Sequence, residues 1–104
     1  NDAVSMVAEA RWYGSQFLIQ ASDPDILHHS LAEDLLHAAA GYAAEHDLMW
    51  KIWDLAGGIS NLEAWKHLAD PAVRRQMIPV IQAARAQDAQ AIHHIEQALL
   101  KTQK

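Results

Sequence analysis

Apolar residues recur along this chain at intervals of three and four, and no segment alternates singly with the β-branched enrichment of a strand. Val4, Met6, Val7, Ala10, Tyr13, Phe17 and Leu18 cover two adjacent helical stripes. They predict a first helix over 3–20, opened by Asn1-Asp2, with a broad buried face. Gly14 interrupts it at a cost of ~1 kcal/mol relative to alanine, for which close helix packing is the expected compensation. Ser22-Asp23-Pro24-Asp25 combines an N-cap, a first-turn proline and an acid suited to the helix dipole. It predicts a second helix over 24–56 that stops at Gly57-Gly58. Gly41, or the polar Glu45-His46-Asp47 segment, is where so long a helix is expected to bend or divide.

Ser60-Asn61-Leu62-Glu63 fits the capping box and predicts a short helix over 61–69. Asp70-Pro71 repeats the cap-plus-proline signal and opens a helix over 71–86, kinked at Pro79. If that helix ran on, Asp88 would fall on its inner stripe, where an unpaired carboxylate is costly. Asp88 is therefore expected to cap a last helix over 89–101 whose core face is Ile92, Ile95 and Leu99. The expected architecture is all-α: a single bundle of four to five helices forming one domain over residues 1–104.

Composition narrows the function classes. A chain that is 51% hydrophobic and 20% charged is not a disordered tail. Eight Lys+Arg against thirteen Asp+Glu, a formal charge of −5, argue against nucleic acid as a partner. Without cysteine there are no disulfides and no thiolate metal sites. No run approaches the ~20 apolar residues of a membrane span, and no signal peptide is visible, so a cytoplasmic location is the default expectation. No glycine-rich phosphate loop or nucleophile elbow is present.

Seven histidines are the compositional oddity. His29, Glu33 and His37 stand at i, i+4 and i+8, on one stripe of the second helix. Imidazole with carboxylate suits a divalent zinc- or iron-type metal, and these three are the candidate ligands. Asp34/His37, Glu63/His67 and His93/Glu96 also have helical spacings. On a straight helix Leu27, Leu31, Leu35, Ala38, Tyr42, Met49 and Trp53 share a sector of roughly 80°, with the His29 stripe nearly opposite. That arrangement favours a solvated or interfacial stripe. His28 and His46 flank the core sector but lie roughly 27 Å apart along the helix, too far to cooperate. Protonating all seven histidines takes the formal charge from −5 to +2, so the surface is pH-sensitive.

The repeated Glu-x-x-His unit of ferritin-like bundles is missing, and Glu33-x-x-x-His37 and Glu63-x-x-x-His67 reverse the order used by hemerythrin-like proteins. Residues 33–50 and 81–99 resemble segments of the helical effector domains of GntR-type regulators. The resemblance implies effector binding and a metal role for Glu33 and His37, but Met77 and Leu99 stand near the positions of that pattern's later histidines.

Four of the seven aromatics are tryptophan. Trp53 lies on the inner sector and is expected to fill core. Trp50 lies further round with Ala32 and Ala39, and with Trp12, Tyr13 and Phe17 it is a candidate interface residue. The expected function is a non-enzymatic α-helical interaction or small-effector-binding module, self-associating or bound to a protein partner. The alternatives are a His/carboxylate bundle binding zinc or iron, with or without enzymatic activity, and an acidic inhibitor or immunity-type protein.

Overall fold

Asp2–Ala21 forms α1, His29–Leu55 forms α2, residues 66–69 belong to a short α3, and Pro71–Lys101 forms α4. The computed structural model describes residues 2–23, 27, 29–58 and 66–102, and no strand occurs among them. The expected cap at Asn1, the Pro24-Asp25 start, the Ser60 capping box and residues His28, Glu63 and Trp65 lie outside the described residues.

The termini follow local chemistry. Gly57 and Gly58 adopt φ of 98° and 76°, and their amides donate to the carbonyls of Asp54 and Trp53 at 3.1 and 3.0 Å. This Schellman closure satisfies the last carbonyls of α2 and requires the left-handed backbone that glycine allows. At Asp70, Oδ1 accepts from the Ala72 amide at 2.9 Å and Pro71 occupies the first turn, so α4 starts where its cap predicts. Leu27 lies in a bend, and α2 runs from His29. Gly41 and the Glu45-His46-Asp47 segment neither break nor divide it.

The largest departure concerns the C-terminal third. Pro71–Lys101 is one continuous helix with Pro79 inside it, so the break at residues 86–89 is absent and Asp88 is not a cap. Asp88 is instead carried onto the inner side, where Arg11 of α1 neutralises it. Continuity also rotates the end of the helix away from the expected face. Ile92 and Leu99 are exposed, whereas Ala91 and Ala98 are buried. The observed seam is Met77, Ala84, Ala91 and Ala98, seven apart, interleaved with Val80, Gln87, His94 and Lys101. That is a heptad seam, apolar in its first half and polar in its second.

α2 is the central helix, with α1 and α4 packed on separate flanks of it. The largest buried cluster is Ile52, Ala56, Met77 and Val80, bordered by Val4, Leu48, Met49, Leu55 and Val73. Elsewhere the helices meet through small residues, and eight of the eleven buried apolar residues among those described are alanine. The closest approach is at Gly41, where a Cβ would stand 3.1 Å from Ala91 Cβ and 3.2 Å from the Gln87 carbonyl. A Cβ at Gly14 would meet Tyr42 at an ordinary 3.8 Å. The glycine that serves close packing is thus Gly41 and not Gly14.

The result is elongated, 53 × 20 × 15 Å, with a radius of gyration of 16.5 Å. A compact chain of this length has a radius of gyration near 13 Å, about 2.2·N^0.38.

Candidate functional site

The first candidate region lies where α2 faces the polar half of the α4 seam. Asp34 and His37 stand one turn apart on α2, and His94 rises from α4 opposite them. The rings of His37 and His94 are 4.9 Å apart at 46°. One potential ligand atom from each of Asp34, His37 and His94 lies within 4.8 Å of the others. Lys101, one heptad beyond His94, places its ammonium on the Asp34 carboxylate and donates to the Ser30 carbonyl at 3.2 Å. The His29–Glu33–His37 stripe is not assembled as a set. His29 Nε2 sits 3.2 Å from Glu33 Oε1 with both side chains largely in solvent, while His37 turns to α4. An inward face of Ile92, Ile95 and Leu99, as the sequence predicts, would turn His94 outward. The seven-residue spacing of alanines at 84, 91 and 98 was the signal that places it on the seam.

The second region is an ionic centre joining three helices. Arg11 Nε donates to Glu45 Oε2 at 3.1 Å and to Asp88 Oδ1 at 2.9 Å, with its guanidinium 5.6 Å from the Tyr42 ring centroid. Glu45 is 5% exposed. Burial, a hydrogen bond to Asp88 and that carboxylate's charge push its pKa up to about 7, against the pull of Arg11. The Asp88 carboxyl is held below its usual range, first by the hydrogen bond from Glu45 and then by Arg11, despite its own partial burial. The two carboxyls therefore share one proton at mildly acidic pH, as closely placed acids do. Burial and the Asp88 charge raise the Tyr42 phenol. Nothing local in the sequence marks Arg11 and Glu45 as partners, because they stand thirty-four residues apart.

The aromatic residues divide into two groups. Trp50 Nε1 donates to His46 Nε2 at 2.9 Å, so that nitrogen accepts, and His46 Nδ1 carries the proton toward Asp47 Oδ1 at 3.0 Å. Trp12 tilts over the His46 ring at 5.2 Å, and Trp50 meets Trp53 edge-on at 5.4 Å. Trp50 and Trp53 are half-buried in this cluster within the chain. Tyr13 and Phe17 point the other way, 70% and 69% exposed, with Met6 at 69%. Along α1 the outward positions Ala3, Met6, Ala10, Tyr13, Phe17 and Gln20 follow strict three-four spacing, opposite buried Ala8 and Ser15.

The chain has no significant match to any protein-family model, curated protein or solved structure. An apolar groove between Leu27, Leu31, Leu35, Ile95 and Leu99 encloses about 270 Å³. That is below the ~300 Å³ where small-molecule pockets begin, and the groove supplies almost no polar group to orient an effector. No described helix is long and apolar enough to cross a membrane.

Proposed function

We propose that this chain is a non-enzymatic helical interaction module that self-associates through the outer face of α1. The observation that carries the reading is the exposed seam of Met6, Tyr13 and Phe17, set in heptad spacing with Ala3 and Ala10. Regular three-four spacing on the solvent side of a helix matches what a second helix requires, and no other described helix packs on it. Ala3, Met6, Ala10 and Tyr13 alternate small and large along the seam, so the bulky side chains of one copy can lie over the small positions of the other.

The area is sufficient. The chain exposes 6897 Å². A compact monomer of this mass exposes ~5,800 Å². An aromatic side chain offers ~150–250 Å², so pairing two copies of this seam, Met6 and the two alanines included, removes on the order of 1,000 Å². About 1,000 Å² is the lower bound for a specific interface.

Sedimentation velocity over a concentration series tests the reading. A dimer of 11.6 kDa chains is expected by the tens of micromolar, since a micromolar constant corresponds to about −8 kcal/mol. The double substitution Tyr13→Lys/Phe17→Lys is expected to give monomer with an unchanged helical spectrum, because both side chains are exposed in the single chain. A wild-type chain that stays monomeric at ~100 µM, or a double variant that still dimerises, sinks it.

A further inference from the structure

We propose that Asp34, His37 and His94 form a divalent transition-metal site of the zinc class that ties α2 to α4, independent of pairing through α1. Three observations converge on it. Asp34 and His37 are one helical turn apart and so share a flank of α2. His94 occupies a seam position of α4, which holds its ring 4.9 Å from that of His37. One ligand atom from each of the three residues lies within 4.8 Å of the others.

The donor set selects the ion. Two imidazole nitrogens and one carboxylate oxygen suit Zn²⁺ and its neighbours, whereas Ca²⁺ and Mg²⁺ take oxygen ligands. Tetrahedral bonds of ~2.1 Å hold donors ~3.4 Å apart, so the three groups must draw together by about an ångström. The exposed His37 ring has the side-chain freedom to make that adjustment. Three protein ligands leave a fourth position for water or a ligand, the pattern of an open zinc site.

Lys101 competes for the same carboxylate. Its ammonium lies on Asp34, and it also contacts the Ser30 carbonyl, which can retain it when the metal binds. The Lys101 side chain is 38% exposed, so this pair is a weak competitor. The lysine occupies the carboxylate when the ion is absent and yields to it when the ion arrives.

The experiment uses the whole chain, stripped with chelator and titrated with Co²⁺ by visible absorption and with Zn²⁺ by calorimetry. One ion per chain is expected, with d–d bands that Zn²⁺ abolishes. Partners one layer out from a metal's ligands are each worth at least ~10-fold in affinity, so losing a ligand costs no less. That loss is expected for His37→Ala, His94→Ala and Asp34→Asn, while Lys101→Met leaves binding equal or tighter. His29→Ala and Glu33→Gln are expected to have no effect. Circular dichroism checks each variant's fold, and Lys101→Met gives a readout that removes no ligand. The proposal is overturned by no stoichiometric binding, by binding that survives His94→Ala, by weaker binding in Lys101→Met, or by one ion per two chains.

Discussion

Replacing Glu45 with glutamine separates the proton held by the ionic centre from its hydrogen bonds. The glutamine carbonyl still accepts from Arg11 and its amide still donates to Asp88, but the side chain does not titrate. Unfolded Glu45 titrates near its ordinary 4.5, and folded Glu45 near 7. Between those values the native chain keeps a proton that the unfolded chain has released. Stability from this group is therefore fully present below about pH 4.5 and is lost as pH rises through about 7. Each pKa unit corresponds to ~1.4 kcal/mol, so the loss from about pH 5 to about pH 8.5 is roughly 2–3 kcal/mol. That is a large part of the 5–15 kcal/mol total of a typical domain. Asp88, held low, contributes with the opposite sign and only at more acidic pH. Urea denaturation followed by far-UV circular dichroism, at several pH values, measures both proteins. Groups not coupled to Glu45 contribute alike to both proteins and cancel in the difference. The difference is expected to move by roughly 2–3 kcal/mol in favour of Glu45→Gln across the window. Parallel curves would refute the assignment of the proton to Glu45.

Two further outcomes test the packing and the cap. Gly14→Ala is expected to raise stability by ~0.5–1 kcal/mol, because the helix gains propensity and the new methyl meets Tyr42 at an ordinary distance. Gly41→Ala is expected to lower it by ~1–3 kcal/mol, since its methyl would press on Ala91 and the Gln87 carbonyl of a rigid neighbouring helix. Thermal melts of the two variants should therefore move in opposite directions. Asp70→Ala is expected to cost ~1 kcal/mol by leaving the Ala72 amide without its acceptor, whereas Asp70→Ser should restore most of it. Equal melting temperatures for Asp70→Ala and wild type would show that the cap contributes nothing.

Local chemistry was legible wherever it was self-contained. The all-α class, the span of α1, the Gly57-Gly58 stop and the Asp70-Pro71 start depend on residues within a turn or two of one another. What faces what depended on neighbours far away in sequence. Asp88 breaks a helix only if its charge has nowhere to go, and Arg11, seventy-seven residues earlier, removes that reason. Without the break, α4 stays in register and buries Ala91 and Ala98, leaving the bulkier Ile92 and Leu99 outside. Bulk was the wrong guide to the core here, because Gly41 brings α2 so close to α4 that only small side chains fit between them. The same rotation carried His94 inward, so the candidate ligands became Asp34, His37 and His94 in place of the His29–Glu33–His37 stripe. Sequence by itself determined the helices, because hydrogen-bonded turns and caps are local. Tertiary structure decided the rotation of each helix, because a helix turns the face that its neighbours can accommodate.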